Sequence, residues 1–282
     1  MNEQILEKYQ SLKSVINNYE SAVVAFSGGI DSSLVAYVAG EVLGNNALAV
    51  TSGSASLKRS DLHLAETLGK DWELSHEIIV TDELSKADYR RNPVDRCFHC
   101  KTSLYTSLDT ICKERGIEVI FNGTNLDDLG DHRPGLVAAD NYQVCSPLVE
   151  AGFHKADVRL LANELGLKNA EKPQSACLSS RFPYGTSIDE QLLAQVEQAE
   201  TVLESLGFTQ FRVRHHGDLA RIEVIETELK KAMDHRSQIN KALSDLGYRY
   251  VTLDMTGFRS GSLNEGLQKE QIQVVNIHNP KK

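Results

Sequence analysis

The stretch Ala22-Val23-Val24-Ala25-Phe26-Ser27-Gly28-Gly29-Ile30-Asp31-Ser32-Ser33 carries the groups that bind a phosphate. A β-branched apolar run feeds a short glycine turn, and a helical pattern follows at once through Leu34, Val35, Tyr37 and Val38. That order puts the amino end of a helix, with its unbonded N–H groups and positive dipole end, against an anion. Gly28 and Gly29 let the backbone approach the anion without a Cβ and permit φ above zero. Ser27, Ser32 and Ser33 add hydroxyl donors. Asp31 is an acid where an anion belongs, so its carboxylate suits Mg2+ or orients the loop. The plain alternative is an ordinary Ser/Gly turn. No lysine follows the second glycine at Walker spacing, and the dinucleotide fingerprint is absent.

Three further sets bear chemistry. Gly123-Thr124-Asn125-Leu126-Asp127-Asp128 follows a strand pattern, and Asp131-His132-Arg133-Pro134-Gly135 comes next. Carboxylates there suit Mg2+ on a pyrophosphate, and Arg133 suits developing negative charge; a solvated acidic turn is the plain alternative. Arg212 and Arg214 flank Val213, so strand alternation puts both guanidinium groups on one face. With Arg181 they form a candidate bidentate site for phosphate or carboxylate, against the plain reading of a strand's solvent face, with Glu223 pairing an arginine.

The cysteines form the third set. Cys97-Phe98-His99-Cys100 is a C-x-x-C at the approach to a helix, and Cys177 lies in the loop SACLSSRFPYG. Three readings stand open. A thioredoxin-like dithiol belongs at a strand end near the start of its domain, which is not the position here. A structural zinc needs four ligands, which three cysteines and His99 or His154 supply. Three thiolates also hold an iron–sulfur cluster with one iron left open. Cys177 opens a junction that crosses the mouth of the expected site. Cys112, at a core position of its helix, and Cys145, in an apolar stretch, read as structural.

These residues need elements to position them. Strand patterns cover 22–26, 47–52, 76–80 and 118–122, with a weaker one over 142–148; helical patterns cover 32–43, 57–69, 101–115 and 155–166. Leu104, Tyr105, Leu108, Ile111 and Cys112 share one helix face. Gly69, Gly116 and Gly166 stand where helix-ending glycines belong. The alternation predicts an α/β fold with a doubly wound parallel sheet over residues 1–170, whose ligands bind beyond the carboxyl ends of the strands. Residues 171–187, with Pro173, Pro183 and Gly185, form the junction. Residues 188–282 form a smaller α+β domain: a helix over 188–206, strands over 210–215 and 219–225 joined by a His-Gly-Asp turn, a helix over 227–246 and a strand over 248–255. The tail after Lys269 is expected to fray.

The chain of 282 residues has ordinary globular composition, with 41% hydrophobic and 24% charged residues. No apolar run approaches the roughly 20 residues of a membrane span. The polar start MNEQILEKYQ does not read as a secretory signal, so a cytoplasmic location is expected. A net charge of −9 argues against a broad nucleic-acid footprint. Five cysteines, an odd count, do not suit a disulfide framework.

SGGIDSS resembles the SGGxDS loop of the PP-loop enzymes that split ATP into AMP and pyrophosphate. With D-x-R-P-G, ACLSSRFPYG and the closing YRYVTLD…GFRSG, nearly the whole chain resembles one family: the LarE-type sulfur transferases of nickel-pincer nucleotide cofactor synthesis. The resemblance implies a PP-loop ATP pyrophosphatase domain, ATP and Mg2+. It implies adenylation of a pyridinium dicarboxylate mononucleotide and conversion of its carboxylates to thiocarboxylates. Ser27, Gly28, Gly29, Asp31, Ser32, Gly123, Asn125 and Asp128 would bind ATP. Arg133, Arg212 and Arg214 would bind substrate. Ser180 and Arg181 would line the acyl site beside Cys177. The family has two kinds, one sacrificing a cysteine sulfur and one holding a [4Fe–4S] cluster on three cysteines. With Cys97, Cys100 and Cys177, this chain resembles the second, fed by sulfide or a sulfur-donor protein, in a homo-oligomer. Three alternatives stay open: sacrificial donation from Cys177, a cluster-dependent tRNA thiolase, and an amidating synthetase or binding protein with a structural zinc. The acidic balance and lack of an RNA-binding module count against the thiolase.

Overall fold

The computed structural model describes residues 1–129, 134–173, 175–259 and 261–265. Arg133 and the tail after Lys269 lie outside them. The described residues divide into two compact units, Met1–Glu83 with Asp95–Ser175, and Leu84–Val94 with those from Ala176 on.

The first unit opens with α1 (Glu3–Ile16), which has no counterpart among the helical patterns above. Its signal is present: Ile5, Tyr9, Leu12 and Ile16 fall on one face and are all buried, each burial worth roughly 1.5–3 kcal/mol. Asn2 caps it by accepting from the Ile5 amide at 2.8 Å. There follow β1 (Ala22–Ala25), α2 (Ile30–Leu43), β2 (Ala47–Ser52), α3 (Arg59–Asp71) and β3 (Ser75–Ile79). The short α4 (Ala87–Arg90) belongs to the second unit. The first unit resumes with α5 (Arg96–Arg115), β4 (Val119–Phe121), α6 (Pro134–Asn141), α7 (Pro147–Glu150) and α8 (Lys155–Glu164).

The four strands form a parallel sheet in the order β3-β2-β1-β4. β1 lies at its centre and is buried throughout, as expected of a strand covered on both faces. Alternate residues face opposite ways. Ala22, Val24, Ala49 and Phe121 join a core with α1, α2 and α8. Val23, Ala25, Val50 and Ile120 join another with Tyr105 and Leu108 of α5 and Ala138 of α6. The sheet is doubly wound, as the alternation predicts, and the glycine loop leaves the carboxyl end of its central strand.

Two local expectations fail for identifiable reasons. The stretch 142–148 forms no strand; a single bridge joins Phe121 and Cys145, and Pro147 then opens α7. Gly69 does not end its helix, because α3 runs on to Asp71. Gly69 is there for space: a Cβ would meet the His76 ring at 2.8 Å. Gly116 and Gly166 do follow helices, with φ of +67° and +69°.

The second unit continues with α9 (Glu190–Ser205), β5 (Phe211–His216), β6 (Leu219–Val224), α10 (Leu229–Asp234), α11 (Arg236–Asp245) and β7 (Tyr250–Leu253). β5 and β6 pair antiparallel, and β6 and β7 pair parallel. Gly217, at φ +63°, makes the tight β5–β6 turn. The helix expected over 227–246 is two helices meeting at His235, which ends one and caps the other. Ala199, Leu203, Val213, Ile222, Ile239 and Leu243 form this unit's core.

Candidate active site

The loop after β1 is a network of short polar bonds. The Ser27 amide donates to Ser32 Oγ at 3.2 Å, and Ser32 Oγ donates to the Gly29 carbonyl at 3.0 Å. Gly28 adopts φ +70°, and a Cβ there would meet Ala65 of α3 at 3.3 Å. Gly123 approaches closer still: a Cβ would lie 2.5 Å from the Ser32 nitrogen. The loop after β4 therefore lies directly on the glycine loop, and only glycine fits between them.

That contact brings the expected residues of the two loops together. Asn125 Nδ2 donates to Asp31 Oδ1 at 3.1 Å. Asn125 and Asp128 form a reciprocal cap, with Asp128 Oδ2 accepting from the Asn125 amide at 3.1 Å. Ser27, Gly28, Gly29, Asp31, Ser32, Gly123, Asn125 and Asp128 thus occupy one edge of the sheet.

The sequence reading missed several members of this cluster. Lys155, the first residue of α8, is ion-paired through Nζ to Asp31 Oδ2. Its amide donates to Asp127 Oδ2 at 2.6 Å, while Asp127 Oδ1 bonds His154 Nδ1 at 2.7 Å. The His154 bond, with the Lys155 amide, holds the Asp127 carboxyl below its usual range. His154, considered above as a zinc ligand, directs its Nδ1 to this carboxylate. Asn169, 3% exposed, donates to the Gly28 carbonyl at 2.9 Å and to Ser33 Oγ at 2.8 Å. Asp61, also buried, accepts from Lys172 Nζ and Ser175 Oγ, each at 2.6 Å. It anchors the chain that leads toward Cys177. No local motif marks Lys155, Asn169 or Asp61, since their partners lie more than 100 positions away.

In the second unit, Cys177 precedes the 3-10 turn Leu178–Arg181, and its carbonyl accepts from Ser180 Oγ at 2.8 Å. Arg181 is fully buried. Its Nε and NH2 grip both oxygens of Glu200 at 2.8 and 3.0 Å. Its NH1 donates to the carbonyls of Ala176 and Cys177 and to Ser180 Oγ. Arg181, expected to line an acyl site, holds the Cys177 turn in shape. Arg214 is similarly committed, with two bonds to Glu223, one to the Ser180 carbonyl and one to Ser262 Oγ.

Arg212 differs. It bonds the Phe211 carbonyl at 2.6 Å and stacks 5.0 Å from the centre of the Phe258 ring. Among the described residues it has no ion-pair partner. Burial, then the charges of Arg181 and Arg214, push its pKa down to about 10. Glu223 stands opposite it in the strand pair and, with Glu200, opposes that fall, but neither closes an ion pair with it; a partly buried guanidinium so placed suits an incoming anion.

Cys97 and Cys100 occupy the first turn of α5, three positions apart and so on one helix face. Cys177 belongs to the second unit. All three thiols are at least partly exposed, and no cysteine forms a disulfide. Burial pushes the Cys112 thiol up to about 11, and Cys145 lies 3.1 Å from the Tyr19 hydroxyl. Among the described residues, no three His, Cys, Asp or Glu side chains gather closely enough to hold a metal ion. Mg2+ asks less of a protein, commonly one or two carboxylates plus substrate phosphates, and the partly exposed Asp31 fits that need.

The NAD synthase family model matches residues 4–93, which run from α1 through α4 and include the glycine loop. Pyridinium-3,5-bisthiocarboxylic acid mononucleotide synthase of Lactiplantibacillus plantarum is 40% identical over 94% of this chain and 96% of its own length. An uncharacterized protein of Synechocystis sp. is 39% identical over 93% of this chain and 98% of its own. A component of the glutamine-hydrolyzing GMP synthase of Methanococcus vannielii is 25% identical over 69% of this chain and 63% of its own.

Proposed function

The chain belongs to the LarE-type family of PP-loop enzymes, and on that footing we propose that it makes thiocarboxylates from the carboxylates of pyridinium-3,5-dicarboxylate mononucleotide, splitting ATP to AMP and pyrophosphate. The observation that carries this reading is the likeness, along nearly the whole chain, to the synthase named for the bisthiocarboxylic product.

The residues supply what the chemistry requires. A carboxylate is a poor electrophile until it carries a leaving group. One of its oxygens attacks the α-phosphorus of ATP, and pyrophosphate departs with the electron pair of the broken bond. Hydrosulfide then adds to the acyl carbon of the adenylate, and AMP leaves as the thiocarboxylate forms. No electron changes hands. The glycine loop presents the amino end of α2 to the phosphates, and Asp31 would hold Mg2+. Arg212 offers its unpaired charge to the phosphate of the mononucleotide, with Arg214 beside it. Arg181 sets the shape of the turn after Cys177.

Cys97, Cys100 and Cys177 would hold a [4Fe–4S] cluster, which supplies an open iron as a binding place for hydrosulfide. Mass spectrometry under anaerobic conditions, with dicarboxylate nucleotide, ATP and sulfide, tests the whole reading. The expected products are thiocarboxylate, AMP and pyrophosphate over many turnovers, with Cys177 intact. Each Cys→Ala variant at 97, 100 or 177 should lose the brown chromophore. Release of ADP and phosphate overturns the ATP assignment. One sulfur per chain, with dehydroalanine left at 177, overturns the cluster and restores sacrificial donation.

A further inference from the structure

We propose that Asn92 and Tyr89 are positioning residues that fix the turn bearing Cys177, so that sulfur reaches the acyl adenylate before water does. The inference rests on the sulfur-transfer reading above, in which Cys177 takes part.

The path of the chain singles these residues out. Leu84–Val94 lies between β3 and α5, both of the first unit, yet it is part of the second. Ordering such an excursion costs chain entropy, which the bonds of the segment offset. Tyr89 and Ser179, 1% and 0% exposed, join through their hydroxyls at 2.6 Å. Asn92, fully buried, donates through Nδ2 to the Pro183 carbonyl at 2.9 Å and to the Phe182 carbonyl at 3.3 Å. Its own carbonyl accepts from the Gly185 amide at 2.9 Å, and the Arg90 carbonyl accepts from the Ile188 amide at 2.8 Å. These partners lie in residues 179–188, the stretch that leads away from the Cys177 turn.

Asn92 holds this place at φ +50°, in the left-handed region that side chains seldom adopt. It also stands directly before Pro93, which disfavours helical backbone in the residue ahead of it. Asparagine is among the few residues that tolerate such a φ. Glycine tolerates it better but has no side-chain amide to reach two carbonyls. Strained backbone persists where the surroundings over-determine it, and such residues cluster at functional sites. Packing alone asks for less, since an apolar side chain of this size would fill the space. Hydrogen bonds fix direction, which apolar contact does not.

The Cys177 turn is thus restrained twice. Arg181 holds the carbonyls of Ala176 and Cys177, while Tyr89 and Asn92 hold Ser179, Phe182 and Pro183 beyond it. Misplacing a reacting group by about 1 Å costs on the order of a hundredfold in rate. An acyl adenylate that waits has a second fate. Water adds to the acyl carbon, its protons pass to solvent, AMP leaves and the carboxylate returns. Fixing the turn therefore sets the share of adenylate that becomes thiocarboxylate, and not the rate at which adenylate forms.

The ratio of thiocarboxylate to pyrophosphate, made from the dicarboxylate nucleotide, ATP and sulfide, reads that share. Partial unfolding lowers both products together and leaves the ratio unchanged. Asn92→Gly keeps the backbone angle and the bond from Gly185 and drops only the side-chain amide. Its ratio should fall at least about tenfold, with pyrophosphate release within about twofold of wild type. Tyr89→Phe, which drops one hydroxyl, should lower the ratio about threefold. In metal-free protein, iodoacetamide should alkylate Cys177 at least about fivefold faster in Asn92→Gly than in wild type, with Cys97 of the first unit as the unchanged reference. An unchanged ratio in Asn92→Gly, whether both products hold or fall together, marks an ordinary core residue and overturns the proposal, as does an unchanged alkylation rate of Cys177. Cys177→Ala with a wild-type ratio, or wild-type protein that yields no thiocarboxylate, overturns instead the reading on which the proposal rests.

Discussion

Arg181 and Glu200 meet through two parallel bonds of 2.8 and 3.0 Å, with side chains 0% and 2% exposed. Glu200 lies on α9 and also accepts from the Val213 amide of β5 at 3.1 Å. One carboxylate therefore ties the Cys177 turn, a helix and a strand together. Breaking a buried pair from one side leaves a charge without water or partner. Glu200→Gln should cost about 3–5 kcal/mol, read as a lowered urea midpoint. A midpoint within about 1 M urea of wild type, with its slope unchanged, would place Arg181 among ordinary surface pairs.

Arg212 should behave in the opposite sense. Its charge is partly buried and has no carboxylate partner among the described residues. Arg212→Met keeps the apolar stem against Phe258 and removes the charge, so thermal stability should hold or rise. Affinity for the phosphate-bearing substrate should fall about tenfold or more, as expected for loss of a charge-assisted bond. A variant that loses stability and keeps affinity identifies Arg212 as a packing residue.

Asn169 braces the glycine loop from behind, through the Gly28 carbonyl and Ser33 Oγ. Asn169→Leu keeps the volume and removes both bonds. We expect ATP affinity to weaken about tenfold, with the nucleotide substrate's affinity unchanged, since two bonds of roughly 1 kcal/mol each are lost from one ligand's loop. Fluorescence titration with an ATP analogue separates the two.

His76 gives stability a pH dependence. Thr51 Oγ1 donates its one proton to the Phe26 carbonyl at 2.7 Å, so His76 Nε2, 2.8 Å away, must be the donor in their bond. Burial lowers the His76 pKa below 6.5 and outweighs the opposing charge of Glu66. The unfolded chain then binds the proton first. The stability due to neutral His76 is present above pH 6.5 and is lost as pH falls below that value toward the lowered native pKa. His76→Gln should flatten the fall in melting temperature between about pH 7 and pH 5 relative to wild type. Parallel curves for the two proteins would exclude His76 as its source.

Cys112 should be inert. With its thiol pushed up to about 11, iodoacetamide at neutral pH should modify Cys97 before it in native protein, and modify all five cysteines only in urea. Peptide mapping reads the order directly.

The sequence alone determined whatever depends on short-range geometry. The β-branched run 22–26 could only be a covered strand, and the glycines after it could only make a close turn into a helix. The same local logic marked the strands at 47–52 and 118–122 and the carboxyl edge where Asp31 and Asn125 meet, whereas the helix that takes in Cys97 and Cys100 starts five residues before the pattern at 101–115. α1 carries the same period, with apolar residues at 5, 9, 12 and 16, but the helical patterns named from the sequence do not include it. The tertiary structure alone decided which charges face which. Lys155 reaches Asp31 across 124 positions, and Asn169 reaches Gly28 across 141. Arg181, Arg212 and Arg214 look alike in the chain, yet Glu200 and Glu223 ion-pair with the outer two and not with Arg212. No spacing rule encodes these pairings. Strand and helix period follow from bonds a few residues apart, whereas the partner of a charge is set by which remote segments the core packs together.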